Sequence, residues 1–212
     1  MSSVRSRVDQ CSKPTGWLGR FTLWRMNASH SGLTDWGLGH SPVEKHYTIL
    51  DVGCGGGRTV SKLAAMATQG RVFGVDYSAE SVAATKRTNA GWIDAGRAAV
   101  CHGTVSQLPF PDNQFDLVTA VETHFWWPNL SGDMREVLRV VRPGGTLMLV
   151  AEVYKGANTI ASKMAERFAS QTGLRLLTAD EHRELYTNAG CQEVEVFEER
   201  NKGWICCTGR KA

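Results

Sequence analysis

The chain has 212 residues, of which 42% are hydrophobic and 21% charged, and its formal net charge is +3. These values are typical of a globular protein that is long enough for one sizeable core, and they exclude a low-complexity or collagen-like chain. No run of Lys and Arg with interleaved aromatic residues indicates nucleic-acid binding, and no segment approaches the ~18 apolar residues of a membrane span.

The N-terminal region is aromatic-rich and precedes the first clear strand. Residues 1–14 are polar and lack the apolar core of a secretion signal, so we expect an arm on a cytoplasmic protein. Thr15 to His40 follows, and Ser31-Gly32 divides it into two short helical patterns, the first carrying Trp17, Phe21, Trp24 and Met26 and the second Leu33, Trp36 and Leu38. We predict that residues 1–44 form this arm and a helical cap. Its tryptophans either pack as core or line a ligand mouth.

From Thr48 onward, apolar β-branched runs alternate with helical patterns. The predicted strands are 48–52, 71–75, 97–102, 115–121 and 146–150, and the predicted helices are 57–68, 78–93, 130–141, 157–172 and 178–189. The pattern predicts an α/β fold, with a parallel sheet and helices on both faces. Two final strands around the turn R-N-K-G, residues 200–203, predict an antiparallel pair at one edge.

A glycine loop, D-V-G-C-G-G-G-R-T, follows the first strand at residues 51–59. Glycine permits sharp turns and lets a ligand approach the backbone, and the helix that follows offers free N–H groups. The loop matches neither G-x-G-x-x-G nor a P-loop. Asp51 before it repels a pyrophosphate but suits an ammonium or sulfonium group.

A second carboxylate, Asp76, ends the second strand about 20 residues after the loop. It is placed either to bind two ribose hydroxyls or to act as a charge at a helix N-terminus that Ser78 caps.

Four motifs in order resemble one family: D-V-G-C-G-G-G-R-T, V-F-G-V-D-Y-S, L-P-F-P-D-N-Q-F-D-L-V and R-V-V-R-P-G-G-T-L. They are similar to class I S-adenosylmethionine-dependent methyltransferases of the small-molecule, type 11 branch, which includes ubiquinone/menaquinone C-methyltransferases. The resemblance implies that residues 45–212 form a Rossmann-like domain with a seven-stranded, mostly parallel sheet of order 3-2-1-4-5-7-6 and strand 7 antiparallel. It also implies S-adenosylmethionine as cofactor and S-adenosylhomocysteine as product.

The resemblance assigns the cofactor contacts by motif position. Asp76 corresponds to the ribose-binding residue and Tyr77 lies against the adenine, while Thr104 stands where family members often have an aspartate. The implied cofactor-binding set is Asp51, Gly53, Cys54, Gly55, Gly57, Asp76, Tyr77, Thr104, Val105 and Glu122. We expect Cys54 to be a packing residue rather than a nucleophile, since methyl transfer needs none.

The acceptor is expected beside the segment E-T-H-F-W-W-P-N, residues 122–129. Because a histidine titrates near neutral pH, His124 is a candidate general base, with a hydrogen-bonded structural role as the alternative, and Glu122 is expected near the transferred methyl. The predicted acceptor pocket comprises Trp24, Trp36, His124, Phe125, Trp126 and Tyr154. No N-P-P-[YFW] motif follows strand four, so we expect a small, partly apolar acceptor and no nucleic acid.

Other expectations concern metals, thiols and assembly. Six cysteines show no metal-ligand spacing, so we expect no metal and reduced thiols. The chain is expected to be a monomer or a homodimer. Two other readings stay open: a nicotinamide-dependent oxidoreductase, and a non-catalytic S-adenosylmethionine-binding module.

Overall fold

The fold is known from a computed structural model that describes residues 31–172 and 174–212. The helices are α1 (Ser31–Leu38), α2 (Arg58–Met66), α3 (Ala79–Thr88), α4 (Ala90–Asp94), α5 (Leu130–Val140), α6 (Ile160–Thr172) and α7 (Ala179–Ala189). The strands are β1 (Thr48–Val52), β2 (Arg71–Asp76), β3 (Ala98–His102), β4 (Phe115–Val121), β5 (Val141–Ala151), β6 (Cys191–Glu199) and β7 (Trp204–Lys211). A 3₁₀ turn spans His124–Trp126.

All seven strands form one sheet in the order β3-β2-β1-β4-β5-β7-β6. Neighbouring strands from β3 to β5 pair in parallel, whereas β7 runs antiparallel to both β5 and β6. The predicted fold class, strand order and antiparallel seventh strand are therefore confirmed.

The sheet separates two apolar layers. Met134 of α5 and Tyr186 of α7 belong to one layer, whereas Leu33 of α1 and Leu63 of α2 belong to the other. The adjacent residues Cys207 and Cys206 divide between these two layers in the same way, because successive side chains of a strand point to opposite faces. Among the described residues, no helix has the length and apolar character needed to cross a membrane.

The largest differences from the predicted boundaries concern α3 and β5. The helix predicted over 78–93 is interrupted at Asn89, whose buried side-chain amide donates to the carbonyls of Gly57 and Thr85 at 2.9 and 3.0 Å. Strand β5 begins at Val141 rather than 146, because Val141 pairs with Phe115 across a bulge that accommodates the intervening turn residues.

The second predicted N-terminal helix is present as α1. Gly37 lets α1 approach β5 closely, since a Cβ there would lie 2.6 Å from a methyl group of Val150. Trp17, Phe21, Trp24 and Met26 lie outside the described residues. The division into 1–44 and 45–212 stays a prediction.

Candidate functional site

A cavity of about 450 Å³ lies at the carboxyl ends of the parallel strands, where ligands of open α/β sheets bind. Of the ten residues predicted to contact the cofactor, nine line this cavity. The exception is Gly57, which lies at the N-terminus of α2 with φ +84°. A Cβ on Gly57 would come within 2.8 Å of the Thr85 backbone, so this glycine permits α2 and α3 to approach each other.

The glycine loop is fixed by hydrogen bonds from β2 and α3. The N–H groups of Gly53 and Cys54 both donate to the carbonyl of Val75, at 2.8 and 3.1 Å. From the other side, the Thr85 hydroxyl donates to the carbonyl of Gly55 at 2.7 Å. Gly53 has φ +74°, and a Cβ there would lie 2.4 Å from Thr123. These contacts preorganise the loop, which lowers the entropy cost of binding a ligand.

Asp76 joins the glycine loop to the start of α3. One carboxylate oxygen accepts from Gly55 N–H and the other from Ser78 N–H, both at 2.9 Å. Burial raises the pKa of Asp76, while these two hydrogen bonds act in the opposite direction. Each carboxylate oxygen has a second lone pair, so the loop contact and a ribose contact are compatible.

Asp51 is the most deeply buried acid of the site. It is 2% exposed, and its carboxylate accepts a hydrogen bond from the Thr119 hydroxyl at 2.7 Å. Burial raises its pKa to about 7, and the nearby Asp76 adds to the effect. A carboxylate in this state attracts a cation strongly, because a buried charge gains most from a partner.

Cys54 lies close enough to both acids to feel their charges, and it behaves as a buried apolar residue. Its sulfur lies 3.5 Å from the Thr85 hydroxyl oxygen, and a Cβ on Gly74 would contact it at 3.0 Å. Burial, followed by the charges of the two aspartates, raises the pKa of the thiol well above its usual value. The geometry agrees with packing rather than nucleophilic attack.

Glu122 connects the ends of β4 and β5. Its backbone N–H donates to the carbonyl of Val150 at 2.9 Å, and its carboxylate accepts from the N–H of Glu152. The residue has φ +60°, a left-handed conformation that costs free energy in a residue with a side chain. Strain of this kind is often found at ligand sites, and Glu122 lines the cavity.

The segment after β4 supplies the apolar end of the cavity. Trp126, Trp127 and Pro128 line it, whereas Phe125 packs on the core layer that contains Met134. A 3₁₀ turn separates neighbouring side chains by about 120°, which explains why Phe125 and Trp126 face different surroundings.

His124 does not line the cavity. It is 2% exposed, and its Nε2 lies 3.2 Å from Nε2 of His182 in α7. Burial, then the proximity of His182, lowers the pKa of His124 well below its usual value. The structure therefore does not bring His124 to the cavity, and its surroundings match the hydrogen-bonded structural alternative.

Two further predicted acceptor-pocket residues lie elsewhere. Tyr154 is buried in the core, and its hydroxyl donates to Glu198 at 2.6 Å, because the chain after β5 folds toward β6. Trp36 lies 5.9 Å from the Trp204 ring and 4.7 Å from the His40 ring, so its indole packs between α1 and β7. Trp24 lies outside the described residues.

Several residues outside the predicted set also line the cavity. Arg58 and Thr59 directly follow the glycine loop, and Ser106 directly follows the predicted Thr104-Val105 pair. Their position next to predicted site residues is the sequence feature that indicates them. Thr34 of α1 also lines the cavity and gave no signal in the sequence. Among the described residues, no cluster of three or more His, Cys, Asp or Glu side chains is arranged for a metal.

Residues 50–149 match the family described as the methyltransferase domain. The matched range runs from β1 through β5 and includes the glycine loop, Asp76 and the segment of Trp126. The family resemblance of the four motifs, all of which lie within this range, is thereby confirmed.

Curated relatives with this domain are longer than the chain. Methyltransferase GfsG of Streptomyces halstedii is 31% identical over 158 residues, which are 73% of this chain and 56% of that protein. Demethylmenaquinone methyltransferase of Listeria welshimeri is 33% identical over 109 residues, 51% of this chain and 46% of that protein. The chain spans about half the length of these relatives.

Solved structures agree on the fold. A SAM dependent methyltransferase from Aquifex aeolicus superposes with a TM-score of 0.75 at 18% identity, covering 90% of this chain and 97% of that one. At this identity the likeness concerns the architecture, which is the seven-stranded sheet described above.

Proposed function

We propose that the chain is an S-adenosylmethionine-dependent methyltransferase with a small, partly apolar acceptor, since residues 50–149 match the methyltransferase domain family. The observation that carries the proposal is Asp51, a fully buried acid that opens onto the cavity beside the glycine loop. A buried carboxylate there favours a cationic ligand and opposes the pyrophosphate of a nicotinamide cofactor.

The residues of the crevice fit S-adenosylmethionine. We assign Asp51 to the ligand's ammonium group, Asp76 to its ribose hydroxyls, and Tyr77 with Val105 to its adenine, since all four residues line the cavity. Gly53 adopts its left-handed φ of +74° without the strain that a side chain would bring, and its missing side chain leaves room for Thr123 beside the loop.

The bound cofactor supplies an electrophilic methyl on a sulfonium, which an acceptor nucleophile takes in line, leaving S-adenosylhomocysteine. The protein contributes orientation and the exclusion of water. Trp126 and Trp127 provide an apolar wall for the acceptor, and Glu122 is the titratable group of that region that lines the cavity. We therefore propose Glu122, rather than His124, as the candidate proton acceptor.

Calorimetry with S-adenosylmethionine, S-adenosylhomocysteine and NAD tests the cofactor. We expect both sulfur compounds to bind and NAD to give no heat. Binding of NAD alone would establish the oxidoreductase reading instead, and binding of the sulfur compounds without turnover of any acceptor would favour a non-catalytic module.

A homocysteine-release screen of small aromatic and isoprenoid acceptors tests the transfer. On an accepted compound, Trp127→Ala should raise KM for the acceptor and leave cofactor affinity unchanged. Trp36→Ala is the matched control, because that indole packs on Trp204 and away from the cavity. Equal effects of the two substitutions would remove the proposed acceptor wall.

We also propose a cytoplasmic location, a monomer or homodimer, and no nucleic-acid partner. The five cysteines within the described residues are all free thiols, which suits a reducing compartment. Residues 1–44 are proposed as a cap on the catalytic domain 45–212, supported by Thr34 of α1 at the cavity. Cell fractionation and light scattering test the location and the mass.

A further inference from the structure

The proposed acceptor wall, formed by Trp126 and Trp127, is carried by a very short element. Trp126 is the last residue of the 3₁₀ turn His124–Trp126, and Trp127 follows it directly. The backbone bonds are those of a single turn, since Trp126 N–H donates to the Thr123 carbonyl at 2.9 Å and Trp127 N–H donates to the His124 carbonyl at 3.2 Å. Because the hydrogen-bond geometry of a 3₁₀ turn is poor, side-chain contacts decide where this turn lies.

The side chain of His124 links this turn to α7. Its ring is buried, and its Nε2 lies 3.2 Å from Nε2 of His182. The two ring centroids are 5.1 Å apart with an interplanar angle of 66°, so the rings meet edge to face. Within residues 31–172 and 174–212, Nδ1 of His124 has no hydrogen-bond partner. The contact with His182 is therefore the polar attachment of the turn on this side.

His182 is itself held by the first turn of α7. Its Nδ1 lies 2.8 Å from the Thr178 carbonyl oxygen, which also accepts from the backbone N–H of His182 at 3.0 Å. Thr178 forms a capping box with Glu181, because its hydroxyl accepts from Glu181 N–H at 3.1 Å and the Glu181 carboxylate accepts from Thr178 N–H at 2.7 Å. One turn further along, the hydroxyl of Tyr186 joins α7 to β5 and β7. The orientation of the His182 ring is thus fixed by the helix and the sheet.

The chemistry of the pair favours a role in geometry over a role in stability. Two apolar side chains of the same size would stabilise the core at least as well, because burial desolvates both rings and leaves one nitrogen of His124 without a partner in the described part of the chain. A hydrogen bond adds direction, since it is strong only near one distance and a linear arrangement. We propose that His182 is a positioning residue for acceptor binding, which acts through His124 to fix the turn that carries Trp126 and Trp127. This inference rests on the function proposed above for these two tryptophans.

Two amide substitutions at residue 182 separate positioning from packing. In His182→Gln the amide reaches about as far as Nε2 and can still bond to His124, whereas in His182→Asn it reaches only about as far as Nδ1. With an accepted compound, His182→Asn should raise the acceptor KM about fivefold or more, while kcat and the affinity for S-adenosylhomocysteine change less than about twofold. His182→Gln should keep the KM of the unaltered chain. Tyr186→Phe is the matched control and should also keep that KM, because it weakens the same helix without touching the turn.

Fluorine NMR of the chain labelled with fluorotryptophan tests the position of the turn without turnover. The signals of Trp126 and Trp127, assigned from the variants Trp126→Phe and Trp127→Phe, should shift in His182→Asn and return in His182→Gln, while the signal of Trp204 stays in place. If no acceptor is methylated, the proposed function fails, and these signals still decide the role of His182. Unmoved signals in His182→Asn, or an equal rise in KM in His182→Asn and Tyr186→Phe, would overturn the positioning role.

Discussion

His124 and His182 share one hydrogen bond between their Nε2 atoms, 3.2 Å apart in the core. Nδ1 of His182 lies 2.8 Å from the carbonyl oxygen of Thr178, which accepts only, so this nitrogen carries the proton. Nε2 of His182 then accepts from His124, and Nδ1 of His124 is the nitrogen without a partner among the described residues. This hydrogen bond excludes two cationic rings, and burial, which lowers the pKa of both histidines, favours two neutral ones.

This pair predicts a loss of stability in mild acid. Burial lowers the pKa of both rings below the usual value of 6.5, so the unfolded chain binds more protons than the folded one as the pH falls below about 6.5. Between the pKa of the unfolded chain and that of the folded chain, each histidine lowers the free energy of unfolding by about 1.4 kcal/mol per pH unit. In urea titrations between pH 7 and pH 5, the double variant His124→Phe/His182→Phe should show a shallower fall than the unaltered chain.

The exposed His46→Gln is the control for this comparison. Asp51 acts in the opposite sense, because an acid with a raised pKa makes the folded chain less stable as the pH rises. All three chains contain Asp51, so its contribution to the free energy of unfolding cancels in the comparison. Parallel curves for the double variant and the unaltered chain would contradict the assignment.

The pKa of Asp51 predicts a pH dependence of cofactor binding. Ionisation of this acid with a pKa of about 7 should strengthen S-adenosylhomocysteine binding about tenfold between pH 5.5 and pH 7. Over this range the α-amino group of the ligand, with a pKa near 8, stays protonated. Asp51→Asn should bind more weakly and show no such rise in calorimetry; a rise of equal size in the variant would assign the titration to another group.

Asp76 predicts a coupling between one side chain and the ribose. We expect S-adenosylhomocysteine to bind the unaltered chain at least tenfold more tightly than its 2′,3′-dideoxy analogue, and Asp76→Asn to bind both about equally. Thr85→Val is the control, because it removes the bond to the Gly55 carbonyl while it keeps the carboxylate. If Asp76→Asn keeps the full preference for the hydroxylated ligand, the role of Asp76 is to hold the glycine loop and not to bind the ribose.

Gly53→Ala separates backbone strain from steric conflict. Gly53 and Gly96 have φ values of +74° and +71°, but only the added Cβ at Gly53 meets a neighbour, Thr123, at 2.4 Å. Gly96→Ala should therefore cost about 1 kcal/mol of unfolding free energy, and Gly53→Ala about 2–4 kcal/mol together with most cofactor affinity. Urea titration and calorimetry give both numbers; equal costs would mean that Thr123 moves aside freely.

Tyr186→Phe tests how β7 is held. The hydroxyl of Tyr186 donates to the Cys207 carbonyl at 2.8 Å and accepts from Leu149 N–H at 2.9 Å, bridging β7 and β5. Its removal takes one hydrogen-bond partner from each of these two buried backbone groups and should cost about 2–4 kcal/mol. Tyr154→Phe removes one bond to the less buried Glu198 and should cost about 1 kcal/mol, so a larger loss for Tyr154→Phe would reverse this ranking.

The sequence predicts this sheet well because its strands are continuous apolar runs closed by turn residues. The bounds of β1, Thr48–Val52, agree with the prediction, since both faces of the strand are buried and its pattern is unambiguous. The start of β5 is wrong by five residues, because the pairing of Val141 with Phe115 depends on a strand that is distant in sequence.

The same distinction applies to the candidate site. Loop glycines and strand-end acids face the cavity because the backbone topology places them there, and both are visible in the sequence. His124 and Tyr154 point away from the cavity because they form hydrogen bonds with His182 and Glu198. These partners lie 58 and 44 positions further along the chain, so no local pattern indicates them. Thr34 reaches the cavity through the packing of α1, which no local pattern encodes.

The position of β7 has a consequence for how the chain is made. This strand is the last in chain order, yet it lies between β5 and β6 inside the sheet. On the ribosome, β5 is therefore an open edge from the synthesis of Ala151 until Trp204 and the residues after it emerge. At a synthesis rate of ~5–20 residues per second that interval lasts several seconds. During this time the unpaired edge of β5 can pair with strands of other nascent chains, which is a risk of aggregation.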